Sequence, residues 1–329
     1  MSLAPSASLP AAVAALLLGA FVLAAPATAQ TPAPAAPAVA APAARAADVI
    51  IREDGLVAEY FAPAPGTQVS AGAVIVLGGS EGGLRGGRGL ARRLSDAGFA
   101  AIAVSYFGEP GQKPILNEIP IEPVDRALAW LKARPEIHGP IAIMGVSKGG
   151  ELALLTASRN PEIRAVVAGV PSHVVWAGID QTGGAVGSSW TAGGQPLAYV
   201  PYDLSNGFTG VFNLYNDSLE TASAEAEIPV EAINGPVLMI SGRADSLWPS
   251  SEMARRVERR LQAHNFRHPV VNLIYPDVGH AVFGVPVAAD APGLERALAL
   301  GGSLPGLVAA RADGWPRVLR FLREALNGG

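Results

Sequence analysis

Residues 141–155 read Ile141-Ala142-Ile143-Met144-Gly145-Val146-Ser147-Lys148-Gly149-Gly150-Glu151-Leu152-Ala153-Leu154-Leu155. The stretch begins as a short apolar run with β-branched residues, which is typical of a buried strand. Its middle, from Gly145 to Gly149, matches the G-x-S-x-G nucleophile elbow between a strand and a helix. Because the serine of such a turn has a strained backbone, the residues two before and two after it must be small. We therefore predict that Ser147 is a nucleophile. The alternative is a glycine-rich strand-to-helix connection in another class of α/β protein.

Strand and helix patterns alternate on both sides of this stretch. We predict a hairpin of strands 48–52 and 56–62, then strands 73–77, 100–106, 165–170, 237–241 and 270–275, and helices 88–97, 123–133, 250–263 and 315–326, besides the helix that ends at Arg159. Such alternation predicts an α/β fold with a mostly parallel central sheet and helices on both faces. In such sheets the active site lies at the carboxyl ends of the strands.

The composition of the 329 residues excludes several classes of function. Half of the residues are hydrophobic, which is enough for one large core or two smaller ones. The net charge is −4 and no long basic run occurs, so we expect no nucleic-acid partner. The absence of cysteine excludes thiolate catalysis, disulfides and cysteine-ligated metals. His264 and His268 are four residues apart but have no third ligand nearby, so we infer no metal site and no cofactor.

The first 46 residues are predicted to lie outside the folded domain, which we place at 47–329. An apolar stretch from Ala11 to Ala25 is short for a membrane span, which needs about 20 residues. An A-x-A signal ends at Ala29, so we predict a signal peptide at 1–29 and a periplasmic or secreted protein with no stable membrane span after cleavage. Residues 30–46 read as an Ala/Pro-rich linker. Because no Lys or Arg precedes Arg45, an uncleaved membrane anchor is the alternative.

An interval around 173–233 interrupts the alternation of strands and helices. It is rich in Gly, Ser and Thr and contains spread aromatic residues, so we expect a lid or pocket lining rather than a bare loop. Trp176 and Trp190 of this insertion, together with Trp248, are candidates to line an apolar pocket for an acyl chain. The alternative is that the aromatic residues pack the insertion onto the body of the domain.

Two further residues are predicted to activate the serine. A serine hydroxyl needs a base, usually histidine, and the base needs an acid that fixes its tautomer; here the acid and then the base should follow the serine along the chain. His280 comes shortly after the predicted strand 270–275, so we predict that it is the general base. Asp245 comes shortly after strand 237–241, so we predict that it is the acid. Asp277 is a rival, but its spacing from His280 is typical of a turn residue. We expect structural or solvated roles for the other histidines: His138, His173, His264 and His268.

The tetrahedral intermediate of such a reaction needs N–H donors for its oxyanion. The elbow supplies one, the backbone N–H of Lys148. The glycine-rich loop from Gly78 to Gly83 should supply the second, from Ser80 or Glu81, and the sequence does not choose between them. The alternative for this loop is a plain tight turn before a helix.

The chain also resembles a known family, the C-terminal catalytic domain shared by acyl-CoA thioesterases and bile acid-CoA:amino acid N-acyltransferases. The resemblance covers roughly residues 72–328. The segments that carry it are Gly78-Gly79-Ser80-Glu81-Gly82-Gly83, Tyr106-Phe107-Gly108, Ile119-Pro120-Ile121-Glu122, Ala127-Leu128-Ala129-Trp130-Leu131, Gly145 to Leu154, Val174-Val175-Trp176, Asp245-Ser246-Leu247-Trp248-Pro249-Ser250 and Asp313-Gly314-Trp315-Pro316-Arg317-Val318-Leu319. It implies an α/β-hydrolase fold with Ser147, Asp245 and His280 as nucleophile, acid and base.

Two departures from the family shape the expected function. The larger enzymes of the family carry a β-sandwich domain ahead of the catalytic one, whereas here an export signal and a linker are expected. The amino-acid-conjugating members use cysteine, so Ser147 favours water as acceptor, and export conflicts with a cytosolic CoA ester. We therefore expect a serine hydrolase that cleaves a small-molecule acyl ester or thioester. A carboxylesterase or dienelactone-hydrolase-like enzyme unrelated to CoA, and a non-catalytic binding protein on the same fold, are the alternatives.

Overall fold

A computed structural model describes residues 46–180 and 182–327 of the chain. The predicted signal peptide and all but the last residue of the predicted linker lie outside these residues. An eight-stranded sheet runs through the described part. Its strands are β1 (Val49–Glu53), β2 (Leu56–Phe61), β3 (Ala73–Leu77), β4 (Ala100–Ser105), β6 (Ile141–Val146), β7 (Ile163–Gly169), β10 (Val237–Gly242) and β11 (Val270–Tyr275). Their order across the sheet is β1-β2-β4-β3-β6-β7-β10-β11.

The sheet is mostly parallel, as the sequence predicts. Only the pairs β1·β2 and β2·β4 are antiparallel, and β4, β3, β6, β7, β10 and β11 pair in parallel. The hairpin between β1 and β2 turns at Asp54 and Gly55, both with positive φ, as a tight two-residue turn requires. The carboxyl ends of the parallel strands therefore lie at one edge of the sheet.

Helices cover both faces of the sheet. The helices are α1 (Arg85–Asp96), α2 (Glu122–Lys132), α3 (Lys148–Arg159), α4 (Val211–Ser218), α5 (Ser250–Ala263), α6 (Leu294–Leu298) and α7 (Leu304–Asn327). Side chains of β3 alternate between two cores: Ile75 belongs to the core under α2, α3 and α5, and Val76 to the core under α1 and α7. Because both faces are buried, the central strands are apolar at successive positions, which explains why they read as continuous hydrophobic runs.

Two helices begin earlier than the sequence pattern indicates. The helix predicted at 88–97 begins at Arg85, and the helix predicted at 315–326 begins at Leu304. Gly306, Gly314 and Pro316 interrupt the helical signal in α7, since Gly and Pro are the poorest helix formers. Gly306 is required there because a Cβ would lie 1.7 Å from the carbonyl oxygen of Asp277.

The insertion between β7 and β10 forms a layer with its own apolar cluster. It contains β8 (Trp190–Ala192), β9 (Gln195–Pro196) and α4. Strand β8 pairs in parallel with β5 (Ile119–Pro120), which lies outside the insertion. Its cluster joins Trp176, Tyr202 and Tyr215 to Trp248 at the carboxyl edge of the sheet. The insertion is therefore packed onto the domain. A role as a movable lid stays a prediction.

Candidate active site

Ser147 lies at the turn between β6 and α3 with a strained backbone. Its φ is 57° and its ψ is −122°, a conformation that L-residues rarely adopt. The flanking glycines make the turn possible, because a Cβ on Gly145 would lie 2.0 Å from the carbonyl oxygen of Gly149. A Cβ on Gly149 would likewise lie 2.0 Å from the carbonyl oxygen of Gly78. The elbow predicted from the G-x-S-x-G pattern is therefore present, and it projects Ser147 at the edge of the sheet.

The structure brings Ser147, His280 and Asp245 into one hydrogen-bonded chain. Ser147 Oγ lies 3.0 Å from His280 Nε2, and His280 Nδ1 lies 2.9 Å from Asp245 Oδ2. Asp245 and His280 are buried, so water does not compete for the bond between them. These three residues follow the carboxyl ends of β6, β10 and β11, which lie at one edge of the parallel sheet with β7 between β6 and β10. The arrangement is that of a nucleophile, a base and an orienting acid.

Asp245 is held by four hydrogen bonds. Its Oδ1 accepts the backbone N–H groups of Leu247 at 2.9 Å and Trp248 at 3.3 Å. Its Oδ2 accepts from His280 and from the Ser250 hydroxyl, the latter at 2.6 Å. Sequence reasoning missed Ser250, although its position five residues after the acid at the start of α5 could have indicated a partner. The carboxylate is therefore fixed against His280.

The rival carboxylate has other partners. Asp277 is exposed, and one of its oxygens accepts a hydrogen bond at 2.5 Å from the hydroxyl of Ser303. Its carbonyl oxygen accepts the backbone N–H of Ser303 at 3.2 Å. Asp277 thus bonds within a turn, as its spacing from His280 indicates, whereas Asp245 is the aspartate that contacts His280.

The two segments with candidate oxyanion donors lie against each other. Gly79 is next to the serine, since a Cβ on it would lie 3.4 Å from Ser147 Cβ. Within residues 46–180 and 182–327, the backbone N–H groups of Lys148 and Ser80 have no hydrogen-bond acceptor. Lys148 is the first residue of α3, where N–H groups are free and the helix dipole favours negative charge. The side chain of Glu81 takes a different part, because its Oε1 accepts the N–H of Gly79 at 3.1 Å.

A buried ion pair lies directly behind the elbow. Lys148 Nζ lies 2.6 Å from Glu151 Oε2, and the two side chains are 1% and 0% exposed. Burial lowers the pKa of Lys148 and raises the pKa of Glu151, while their mutual attraction opposes both shifts. The other oxygen of Glu151 accepts the Trp190 indole N–H at 2.7 Å and the Trp176 backbone N–H at 3.1 Å. The pair therefore joins the elbow helix to the insertion, a role that sequence reasoning did not assign.

The three tryptophans proposed as pocket lining are packing residues in this structure. Trp176 and Trp190 are 0% exposed and Trp248 is 1% exposed, so none of them faces an open pocket. Trp248 packs edge-on against the imidazole of His280, with ring centroids 5.6 Å apart. Their large apolar surfaces pack the insertion onto the body of the domain, which favours the alternative. An acyl pocket on these three side chains stays a prediction.

The other histidines lie away from Ser147. His138 and His264 are exposed, and His268 is half-buried. His173 is buried beside a cavity of about 260 Å³ that Arg256, Arg259 and Arg260 also line. Burial lowers the pKa of His173 to about 3, with Arg256 adding to the effect.

The described residues include no group of three or more His, Cys, Asp or Glu residues arranged to hold a metal ion. No helix within 46–180 and 182–327 is both long and apolar enough to cross a bilayer.

Comparison with known proteins identifies related sequences. The family model described as "BAAT / Acyl-CoA thioester hydrolase C terminal" matches residues 119–328. Acyl-coenzyme A thioesterase 6 of Mus musculus is 32% identical over 299 residues, which cover 85% of this chain and 65% of that protein. Acyl-coenzyme A thioesterase 5 of Mus musculus is 29% identical over 285 residues, which cover 85% of this chain and 66% of that protein. The chain thus spans slightly less than two thirds of the length of these relatives.

Solved structures support the fold. A candidate dienelactone hydrolase of Klebsiella pneumoniae subsp. pneumoniae superposes with a TM-score of 0.52 at 20% identity, covering 81% of this chain and 92% of that one. A puromycin-hydrolyzing peptidase of Mycobacterium tuberculosis superposes with a TM-score of 0.51 at 16% identity, covering 82% of this chain and 37% of that one. Together with the sheet order, these matches confirm the α/β-hydrolase fold that the sequence indicates.

Proposed function

Because this chain belongs to the BAAT / acyl-CoA thioester hydrolase C-terminal family, we propose that it is a serine hydrolase that cleaves an acyl thioester or ester through an acyl-enzyme on Ser147. The observation that carries the proposal is the continuous chain from Ser147 Oγ through His280 to Asp245, with distances of 3.0 and 2.9 Å. Both distances lie within the range of a formed hydrogen bond, so no rearrangement is needed before the first proton transfer.

The hydrogen bonds define the role of each group. Asp245 accepts from His280 Nδ1, so the proton of the neutral imidazole resides on Nδ1 and Nε2 is free to accept from Ser147. When Ser147 Oγ attacks the acyl carbon, its proton passes to His280 Nε2. Asp245 stays ionised and stabilises the imidazolium. The acyl oxygen becomes an oxyanion beside the free N–H of Lys148 at the start of α3.

The remaining steps, departure of the leaving group and hydrolysis of the acyl-enzyme, use the same groups. Collapse of the tetrahedral intermediate breaks the bond to the thiol or alcohol, which takes the proton from His280 Nε2 as it leaves. A water molecule then gives a proton to His280 and attacks the acyl-enzyme carbonyl. The free acid departs as the proton returns to Ser147 Oγ. Ser147 in place of a cysteine supports water as the final acceptor.

The proposal also concerns the leaving group, which is a thiol in a thioester and an alcohol in an ester. The curated relatives carry the printed name acyl-coenzyme A thioesterase, which supports a thioester substrate. The chain spans less than two thirds of their length, so an oxygen ester is the second outcome to test. Matched p-nitrophenyl esters and acyl-CoA thioesters of equal acyl length, from short to long, separate the two: a kcat/KM for the thioester series at least tenfold above that for the esters supports a thioesterase.

Replacement of the nucleophile tests the mechanism. We expect Ser147→Ala to lower kcat by about 10⁴-fold or more, since the acyl-enzyme can no longer form. A fluorophosphonate probe should label the unchanged protein at Ser147 and should leave Ser147→Ala unlabelled. If the purified variant keeps its activity, or if the folded protein is never labelled, the acyl-enzyme proposal is wrong and a binding role on the same fold becomes the better hypothesis.

We also propose that the protein is exported and that its mature chain begins at Gln30. The support is the apolar stretch from Ala11 to Ala25 and the A-x-A signal that ends at Ala29. N-terminal sequencing of the protein recovered from the periplasm or medium of a bacterial host should give Gln30 first. Recovery of the uncut chain from the membrane fraction would favour the anchor instead.

A further inference from the structure

Tyr106 lies immediately after β4 and contacts the glycine-rich loop that borders Ser147. The residue is 6% exposed. Its hydroxyl donates toward two carbonyl oxygens of the loop, that of Gly78 at 2.9 Å and that of Gly79 at 2.5 Å. Burial raises the pKa of Tyr106 well above its usual value, and the charges of Glu81 and Glu151 add to the effect. The hydroxyl therefore keeps its proton and acts as a donor at all ordinary pH values.

The planarity of the peptide bond turns this contact into a constraint on the loop. In a trans peptide the C=O and the following N–H point in opposite directions. Since the carbonyls of Gly78 and Gly79 both face Tyr106, the N–H groups of Gly79 and Ser80 both face away from it. The Gly79 N–H is seen to point away from Tyr106, because it donates to the Glu81 carboxylate. The Ser80 N–H has no hydrogen-bond acceptor among the described residues, so it is free to receive an anion on that side.

A rigid layer holds Tyr106 in place. Its ring packs edge-on against Trp190, with centroids 5.4 Å apart. The Trp190 indole in turn donates to Glu151 on the first turn of α3. The Glu151 side chain also pairs with Lys148. Lys148 and Tyr106 are thus connected through the buried side chains of Glu151 and Trp190.

We propose that Tyr106 is a positioning residue that orients the 79–80 peptide, so that the Ser80 N–H and the Lys148 N–H together receive the oxyanion. The inference rests on the proposed hydrolase function and extends it by choosing Ser80 over Glu81 as the second donor. Tyr106 acts through the loop backbone and does not touch the substrate. The geometry assigns to this tyrosine a contribution to kcat rather than to substrate binding, because the oxyanion forms only in the transition state.

The test compares two buried tyrosines that each lose only a hydroxyl. We expect Tyr106→Phe to lower kcat about tenfold with KM within twofold of the unchanged protein, because the donor is misoriented rather than removed. Tyr202→Phe is the matched control, since the Tyr202 hydroxyl bonds Ala177 and Tyr215 in the insertion instead. It should keep the kcat of the unchanged protein. Equal losses in both variants, or a Tyr106→Phe change in KM alone, would overturn the inference.

Phenylboronic acid gives a second measurement that needs no turnover. The Ser147 oxygen donates an electron pair to boron, its proton passes to His280, and the resulting tetrahedral boronate places a negative charge at the oxyanion position. Titration followed by tryptophan fluorescence should show about tenfold weaker binding to Tyr106→Phe and unchanged binding to Tyr202→Phe.

A crystal structure of the unchanged protein with the boronate covers the case in which Tyr106→Phe does not fold. A boronate oxygen within about 3.1 Å of the Ser80 nitrogen supports the inference, and one on the Glu81 nitrogen contradicts it. Failure of the unchanged protein both to turn over substrate and to bind the boronic acid would overturn the proposed function itself. Activity of the unchanged protein, matched by Tyr106→Phe in every measurement, would overturn only the inference on Tyr106.

Discussion

The strain at Ser147 is local and has visible support. A positive φ at a non-glycine residue costs of order 1 kcal/mol or more and persists only where neighbours enforce it. Here the Ser147 N–H donates to the Gly169 carbonyl at 2.9 Å, and the Ser147 carbonyl accepts the Glu151 N–H at 3.0 Å. The serine is therefore clamped between β7 and the first turn of α3. Its hydroxyl points to His280 without a change of backbone.

Asp245 and Asp277 provide a matched pair of variants that tests which aspartate is the acid. We expect Asp245→Asn to lower kcat by about 10³ to 10⁴-fold, because an amide nitrogen against His280 Nδ1 favours the wrong imidazole tautomer. Asp277→Asn changes the rival carboxylate, which bonds Ser303 instead, and should leave kcat within about twofold of the unchanged protein. Steady-state kinetics on both variants decides the assignment. A larger loss from Asp277→Asn would reverse it.

The candidate site could be predicted in part from the sequence, and the reason is topological. Residues at the ends of parallel strands meet at one edge, so Asp245 and His280 could be named from strand positions alone. Ser250 could also have been named, because it lies only five residues after Asp245. The contacts of the Tyr106 hydroxyl could not, because a contact between segments distant along the chain leaves no periodic pattern. For the three tryptophans the sequence does not choose between pocket lining and packing, since an aromatic residue in an insertion gives the same pattern whether it faces a ligand or a core.

Among the strands and helices, the central strands were easy to predict because they are buried on both faces. For α7 the sequence predicted only the second half, 315–326, of a helix that spans Leu304–Asn327. Two of its glycines lie at close tertiary contacts: Gly306 approaches the backbone of Asp277, and Gly314 faces the ring of Tyr275. Helix α4 in the insertion was not predicted either. Short helices depend on packing more than on propensity, so their sequence signal is weak.

Two helical glycines of opposite surroundings test the packing of the elbow. A Cβ on Gly149 in α3 would lie 2.0 Å from the Gly78 carbonyl oxygen, whereas no described residue has an atom within 4 Å of a Cβ on Gly89 in α1. We expect Gly149→Ala to destabilise the fold by about 2 kcal/mol or more and to lower kcat, because loop and elbow must separate. Gly89→Ala should stabilise the protein by about 0.5 to 1 kcal/mol. Chemical denaturation of both measures the difference, and a harmless Gly149→Ala would contradict the close contact.

The Lys148–Glu151 pair predicts a larger effect on folding than any surface pair. Glu151→Ala leaves the buried ammonium of Lys148 without a partner and removes the acceptor of Trp190, so we expect a loss of about 3 to 5 kcal/mol in the free energy of unfolding. The double variant Lys148→Met/Glu151→Gln keeps an oxygen for Trp190 and removes both charges, so it should recover most of that loss.

An exposed pair serves as the control for this measurement. Lys132 and Glu162 form an ion pair on the surface, with side chains 50% and 55% exposed. Glu162→Ala should therefore change the free energy of unfolding by at most about 1 kcal/mol. Urea unfolding of the three variants separates the effects. A Glu151→Ala loss no larger than that of Glu162→Ala would show that the buried pair is not an essential support of the elbow.

For the whole molecule, the sheet divides the described part into two cores and carries the insertion at its carboxyl edge. The insertion is anchored at both of its ends: Trp176 and Trp190 bond Glu151, and Glu227 and Glu231 pair with Arg260 of α5. Its first residue, His173, is 6% exposed and lines a cavity together with residues of the same helix. Changes in the charge of His173 should therefore act on the stability of the whole fold rather than on a local loop.

The depressed pKa of His173 predicts how stability depends on pH. The folded value is about 3 and the ordinary value is 6.5, so as pH falls below about 6.5 the unfolded chain binds a proton that the folded chain does not. Stability is therefore lost progressively between about pH 6.5 and pH 3, by up to about 1.4 kcal/mol per pH unit from this group. Urea unfolding at several pH values should give a shallower slope for His173→Gln, while His138→Gln, at an exposed histidine, should keep the slope of the unchanged protein. Parallel slopes in all three proteins would mean that His173 is protonated as readily in the folded chain as in the unfolded one, and that its burial has no part in the acid sensitivity of the fold.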